Sequence, residues 1–175
     1  AWCNNHPPGN KFAWRKADKP AGSSPAMRWT NPPVAWMMHA GIARMLEAGL
    51  AFPAHRYPRK RSHIKRIALE AYPGFTARKI TQGSYKSDSP AKQTPERKAR
   101  RKMILDAVSV GEAGLSIRFE ANHRWRQHII ADARGDLLDA VLCSLQAGHA
   151  ALQRNFGLPR NLDTLEGWIA SVPIR

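Results

Sequence analysis

Cysteines, long apolar runs and acidic residues are all scarce in this chain, and each scarcity excludes a class of protein. The two cysteines, Cys3 and Cys143, form no Cys-x-x-Cys pair, which argues against a disulfide framework or a cysteine zinc knuckle. The histidines have no His-x-x-x-His spacing for zinc. The longest apolar run, residues 34–38, is far shorter than the roughly 20 residues of a membrane-spanning helix. We therefore expect a protein of the reducing cytoplasm with no membrane partner.

The shortage of acids leaves a large positive charge. Thirteen Asp and Glu stand against 28 Lys and Arg, which gives the 175 residues a formal net charge of +15. Such a field attracts polyanions, and nucleic acid, whether DNA or RNA, is the commonest of them. A genome that favours arginine would produce the same excess without any such partner, and both explanations stay open. Nothing in the sequence indicates an oligomeric state.

Pro, Gly, Ser and Asn dominate residues 1–32, which we interpret as a loop-rich basic segment ahead of a domain over 33–175. Its tryptophans could stack on a base or anchor the loop. Apolar periodicity predicts a helix that begins after the cap Asn31, with Pro32 and Pro33 in its first turn, and ends at Gly49; further helices are predicted over 75–82, 95–110, 121–133 and 137–154. The apolar stripes of the first, third and last of these include, respectively, Met37, Met38 and Leu46; Met103, Ile104, Ala107 and Val108; and Leu152. Strands are predicted over 64–74, 114–120 and 165–172. A basic connector, residues 55–66, precedes the first strand.

Basic side chains crowd the start of the helix predicted over 95–110. Cations there oppose the helix dipole, which costs roughly 0.3–1 kcal/mol for each exposed one. The cluster makes more sense if it receives phosphate, although a solvated face would need no ligand. The residues that we predict to bind nucleic acid are Lys86, Lys92, Arg97, Lys98 and Arg101.

Three acidic residues occupy positions from which they could take part in metal binding or catalysis. Glu70 ends the strand predicted before the Pro73-Gly74 turn, and Asp136 and Asp139 lie three apart on one helix face. Together they could converge on Mg²⁺ or Mn²⁺, the hard cations that carboxylates bind and that phosphodiester hydrolysis uses. The alternative is structural: Asp136 is a natural N-cap, Asp139 could reach back to the cap's amide, and Glu70 could simply meet water.

Several segments resemble, in order, the family called domain of unknown function 429, a predicted nuclease with an RNase H-like fold. The segments are SSPAMRWTNPPVAWM (23–37), IALEAYPG (67–74), SYKSDSPAKQTPERKARR (84–101), GDLLDAVLCSLQA (135–147) and LEGWIA (165–170). The likeness covers roughly residues 20–172. The GDLLDA segment is also similar to the final helix of Holliday-junction resolvases, where an Asp followed by Ala ligates metal.

The resemblance implies an α/β, RNase H-like mixed sheet with helices on both sides. It implies metal-liganding or catalytic roles for Glu70 and Asp139, with Asp136 in support, and Mg²⁺ or Mn²⁺ as cofactor. Family members begin with a strand bearing Asp and a turn like Asp-Pro-Phe-Gly, and both should precede Ala1. We therefore expect a truncated metal-dependent nuclease, inactive in isolation. A non-catalytic basic nucleic-acid-binding protein and a remnant without activity are the alternatives.

Overall fold

The chain, seen in a computed structural model, divides into two compact units. Residues 14–25, 34–55 and 66–174 are the ones that the structure describes. Unit 1 combines Ala1–Glu70 with Leu158–Arg175, and unit 2 is the continuous stretch Ala71–Gly157. The candidate acids are divided between them, because Glu70 belongs to unit 1 whereas Asp136 and Asp139 belong to unit 2.

Helices dominate the described residues, and the strands there form one short parallel pair. In chain order the elements are α1 (Asp18–Ala21), α2 (Val34–Glu47), β1 (Leu50–Ala51), β2 (Arg66–Ile67), α3 (Pro73–Ile80), α4 (Pro95–Val110), α5 (His123–Ala131) and α6 (Asp136–Ala151). Strand β1 pairs with β2 in parallel, with Leu50 opposite Arg66. The described part of the chain is therefore a mixed helix-and-sheet structure, in agreement with the α/β class. None of its helices combines the length and the apolar character needed to cross a bilayer.

Helix α4 begins and ends at the predicted residues. Pro95 occupies its first turn, where a missing N–H removes no hydrogen bond, and Thr94 precedes it in extended conformation. Gly111 ends it in the left-handed conformation that glycine adopts without strain, with φ at 89°. Of the four residues predicted to be buried, three are buried and Met103 is exposed; the buried ones are Ile104, Ala107 and Val108.

The core of unit 2 is apolar and draws on all four of its α-helices, with Ala77 as the buried core residue of α3. Leu138 and Leu142 of α6 are fully buried, as are Ile104 and Leu105 of α4, and Ile129 and Ile130 add the contribution of α5. Fully burying an aliphatic side chain stabilises a fold by about 1.5–3 kcal/mol. Packing of these side chains therefore holds the helices of unit 2 together.

Helix α6 contains a glycine that its periodicity alone does not explain. A Cβ added at Gly148 would lie 2.5 Å from Cδ1 of Ile117. The glycine therefore makes room for Ile117, which packs against the core from the segment before α5. The helix ends at Ala151, so the predicted end at residue 154 is too late, and Leu152 is exposed rather than buried.

The predicted strands are much shorter than expected. Of the predicted strand 64–74 the structure describes residues 66–74, and there the only strand is β2. Its residue Ile67 is 42 % exposed, so this is not a strand covered on both faces. The prediction over 165–172 reduces to one isolated parallel bridge between Ile169 and Glu70. Residues 114–120 form no strand. Their apolar side chains enter the core of unit 2 from irregular backbone instead, which the Phe119 N–H anchors to the Val108 carbonyl oxygen at 3.1 Å.

Helix α2 forms as predicted, but its apolar residues are not buried as expected. Met37, Met38 and Leu46 are more than half exposed. Several predictions lie outside the described residues: the cap at Asn31 with Pro32 and Pro33, the roles of Trp2 and Trp29, and most of the basic connector.

A buried glutamine fixes the start of α3. The Oε1 atom of Gln146 accepts from the Tyr72 N–H at 2.9 Å. Its Nε2 atom donates to the Tyr72 carbonyl at 2.9 Å and to the Thr76 hydroxyl at 2.8 Å. Gln146 is fully buried, so water cannot serve as the partner of its side-chain amide. These hydrogen bonds therefore satisfy the buried amide together with the Tyr72 backbone groups that it contacts.

We expect Gln146→Leu to lower the free energy of unfolding by about 2–4 kcal/mol, because it leaves the Tyr72 amide and carbonyl without partners. Gln127→Leu, at an exposed position of α5, is the matched control and should change it by less than about 0.5 kcal/mol. Urea unfolding followed by circular dichroism measures both. Equal effects of the two substitutions would contradict the role assigned to Gln146.

Candidate functional site

Arg101 lies in the interior of unit 2, where it joins a loop to a helix. Its Nη1 donates to the Tyr85 carbonyl oxygen at 2.7 Å, and its Nε donates to that of Ile130 at 2.8 Å. The residue is 3 % exposed. The prediction that Arg101 contacts phosphate is therefore wrong. Its guanidinium is buried and already donates to two carbonyl oxygens, so it cannot reach a phosphate.

Two further arginines of α4 bind the same loop. Arg97 donates to the carbonyl oxygen of Lys86 and to the Ser84 hydroxyl, and Arg100 donates to the Ser84 carbonyl oxygen at 3.1 Å. Part of the cation cluster at the start of α4 is therefore matched by backbone carbonyls, which carry partial negative charge. Arg97 keeps some exposure, so its remaining donors can still meet another ligand.

The loop places two side chains on Asp139. The Tyr85 hydroxyl donates to Oδ1 of Asp139 at 2.5 Å, and the Lys86 ammonium forms an ion pair with Oδ2. Both partners lie more than fifty residues before Asp139, which stands in the first turn of α6 and is 19 % exposed. The predicted capping contact of Asp139 is therefore replaced by long-range contacts, and tertiary structure fixes this carboxylate.

Close approach of the backbone at Gly135 brings Lys86 to this position. Gly135 precedes α6 with φ at 79°, and a Cβ there would lie 2.8 Å from Cβ of Lys86. The Ser87 N–H donates to the Ala133 carbonyl oxygen at 3.1 Å beside it. A glycine is required here for both reasons, since a side chain would be strained and would push the loop away.

Two neutral groups accompany Asp139. Burial, with the hydrogen bond to Asp139 second, raises the pKa of Tyr85 above its ordinary value of 10.0. Burial also raises the pKa of the Cys143 thiol, one turn further along α6, and the charge of Asp139 adds to the effect. Tyr85 therefore remains a hydroxyl donor at neutral pH, and Cys143 has little thiolate with which to act as a nucleophile.

Asp136 takes no part in this cluster and is exposed at the first position of α6. The side-chain hydrogen bond to the start of α6 that was predicted for Asp136 is made by Asp132 instead. Its Oδ2 accepts from the Leu137 N–H at 2.9 Å, and its Oδ1 accepts from the Arg134 N–H at 3.2 Å. Asp136 is not the cap because Gly135, in left-handed conformation, occupies the cap position itself.

Glu70 stands in unit 1 and is held by Arg15. Two nitrogens of the guanidinium each donate to one carboxylate oxygen at 2.7 Å, and its Nε and Nη2 also donate to buried Asp18. The hydrogen bond to Glu70 is the largest cause that raises the pKa of Arg15. The alternative in which Glu70 simply meets water is therefore wrong, since a fork-shaped ion pair fixes the carboxylate.

As they stand, these carboxylates do not fit a divalent cation. Both oxygens of Glu70 accept from Arg15, and both oxygens of Asp139 accept from Tyr85 and Lys86. Over the residues that the structure describes, no group of three or more His, Cys, Asp and Glu side chains could hold a metal. A cation would have to displace a positive side chain from each carboxylate.

Lys92 and Lys98 differ from the arginines around them. Both are exposed, Lys92 in the 3₁₀ turn Pro90–Lys92 and Lys98 in the first turn of α4. Neither forms an ion pair within the described residues. Of the five predicted nucleic-acid-binding residues, these two have ammonium groups without a described partner.

Sequence reasoning missed two partners of the acids. Tyr85 lies beside Lys86 in the SYKSD segment, so the resemblance marked the place without giving the tyrosine a role. Arg15 stands in a segment interpreted as loop, and the 55 residues that separate it from Glu70 leave no local signal.

Comparison with protein-family models, with curated proteins and with solved structures found no match to this chain. The resemblance to domain of unknown function 429 therefore rests on the segments quoted above and stays a prediction.

We expect Tyr85→Phe to lower the free energy of unfolding by about 1–3 kcal/mol at pH 8, because it removes a hydrogen bond to a carboxylate. Because the pKa of Tyr85 is raised, the difference in free energy of unfolding between wild type and Tyr85→Phe should depend on pH. In wild type, stability from the neutral phenol is complete below the unfolded pKa of about 10.0 and is lost as pH rises above it. The gap to Tyr85→Phe should therefore stay constant up to about pH 10 and narrow as the pH rises above it. Urea midpoints measure it, and a gap that stays constant above that pH as well would contradict the contact.

Proposed function

We propose that this chain binds nucleic acid through the cationic surface formed by Lys92, Arg97 and Lys98. The observation that carries the proposal is a pair of exposed lysines without a described acidic partner: Lys98 in the first turn of α4, and Lys92 in the 3₁₀ turn just before that helix in the chain. A phosphate at this helix end would meet two ammonium groups together with the favourable end of the helix dipole.

Arginine-rich composition alone does not account for this surface. Arg97, Arg100, Arg101 and Arg126 each bind a carbonyl, hydroxyl or carboxylate group within unit 2. These contacts give the arginines a structural purpose. The exposed lysines make no such contact in the described structure. They add to a net charge of +15, which already favours polyanions. A phosphate ligand accounts for both the lysines and the charge.

We expect the double variant Lys92→Gln, Lys98→Gln to bind a labelled oligonucleotide about five- to tenfold more weakly than wild type. Two lost phosphate contacts should also reduce the slope of log K against log salt by about 1.4–1.8. The matched control, Lys19→Gln with Arg160→Gln, removes two exposed cations from unit 1.

Fluorescence anisotropy over a series of KCl concentrations measures affinity and slope for all three proteins. Equal losses in the two double variants would show that only net charge matters and would contradict this surface. Weak wild-type binding that barely responds to salt would contradict nucleic-acid binding altogether.

Phosphodiester hydrolysis is the second candidate, and the position of Asp139 favours it. Residues distant in sequence hold this carboxylate partly exposed at the helix start that resembles the metal-binding helix of resolvases. The candidate includes what the resemblance implies: an RNase H-like fold, Mg²⁺ or Mn²⁺, and Glu70 and Asp136 as further ligands. The observed ion pairs oppose it, which places it second.

We expect Asp139→Asn to abolish any cleavage of labelled DNA or RNA that wild type shows with Mg²⁺ or Mn²⁺, because an amide is a poorer ligand for a hard cation. Asp88→Asn, in the exposed loop, is the matched control and should leave cleavage unchanged. Gel assays measure both, with the melting temperature as a folding check. Unchanged cleavage by Asp139→Asn would remove this residue from the mechanism.

A further inference from the structure

A tryptophan on α5 projects into water from a well-anchored position. Trp125 is 56 % exposed. Its backbone N–H donates to Oδ1 of the cap residue Asn122 at 3.0 Å. The indole ring meets the ring of His128 edge to face, with the centroids 5.9 Å apart and the planes at 85°. The ring is therefore restrained by a neighbour while much of its surface remains free for another partner.

The charges around this ring suit an anionic partner. Exposed His123 and Arg124 precede Trp125 on the same helix, and α5 contains no acidic residue. Arg126 binds Asp106 of α4 at 2.5 Å, which neutralises that carboxylate. The nearest acid before the ring in sequence is Glu120, ahead of the helix. An aromatic ring among cations is the combination that proteins use to grip single-stranded nucleic acid.

Helices α4 and α5 run in opposite directions, which separates this ring from the lysines. Arg101, near the start of α4, bonds to Ile130 at the end of α5, whereas Arg126 reaches Asp106 further along α4. At 1.5 Å per residue, Lys98 and the level of Trp125 lie about 15 Å apart along α4. The two features can therefore be altered independently.

We propose that Trp125 stacks on an unpaired base, so that the chain prefers single-stranded nucleic acid to duplex. The inference rests on the proposed function of nucleic-acid binding and adds the class of ligand to it. In a duplex the bases already stack on one another, so the ring has no base face to meet. In a single strand every base offers one, and the flanking cations meet the phosphates.

The test compares three probes of equal length: a deoxythymidine strand, the same strand with abasic sites, and the duplex. We expect Trp125→Ala to bind the thymidine strand about tenfold more weakly than wild type. Trp125→Phe should restore part of the loss because phenylalanine also stacks. Binding to the abasic strand and to the duplex should not change. Leu152→Ala, which trims another exposed apolar side chain of unit 2, is the matched control and should bind all three probes as wild type does.

Anisotropy at fixed salt measures all affinities. If Trp125→Ala binds the thymidine strand as wild type does, or if wild type binds the abasic strand equally tightly, the stacking inference is overturned and salt-dependent binding still stands. A change in oligomeric state upon Trp125→Ala, without loss of base preference, would overturn it in favour of a second copy of the chain. Absence of salt-dependent binding to any probe would instead overturn the proposed function.

Discussion

The hydrogen bonds from Arg101 to the carbonyl oxygens of Tyr85 and Ile130 are the interaction on which unit 2 depends. A buried guanidinium is tolerated only when its donors are satisfied. Here that requirement ties a loop, α4 and the end of α5 to one another. Lysine could not replace it, because a single ammonium group lacks the rigid fork that spans two carbonyls. With the loop fixed, Tyr85 and Lys86 reach Asp139.

The same stretch of sequence thus contains cations of two kinds. Arg97, Arg100 and Arg101 turn towards the loop and organise it, whereas Lys92 and Lys98 remain in water. The division follows the chemistry of the side chains, since guanidinium groups bind several fixed acceptors and ammonium groups stay hydrated. A partner that recognises charge would meet the lysines first. This is why the proposed interface is narrower than the predicted basic cluster.

Local signals allowed the limits of α4 to be predicted, because Pro95 and Gly111 each act within a few residues of a helix end, although the Thr94 side chain makes no capping hydrogen bond. The start of α6 was predicted to within one residue, but the capping contacts expected of Asp136 and Asp139 were wrong, because Asp132 accepts from the helix N–H and Asp139 binds Tyr85 and Lys86. The burial of Arg101 could not be predicted, since a buried and an exposed arginine look alike in sequence. The strand predicted over 114–120 was wrong for a related reason. Ile117 and Phe119 are apolar because they fill a core, and irregular backbone can place them there as well as a strand can.

Cys143 gives this protein a built-in reporter. Its thiol stands one turn after Asp139, half-buried, and the raised pKa keeps it from reacting readily at neutral pH. Anything that opens the packing between the loop and α6, or that removes the negative charge nearby, would speed its alkylation. The rate of labelling at Cys143, measured separately from that at Cys3, therefore follows the integrity of the candidate site in the unaltered chain, without a substitution that perturbs the site itself.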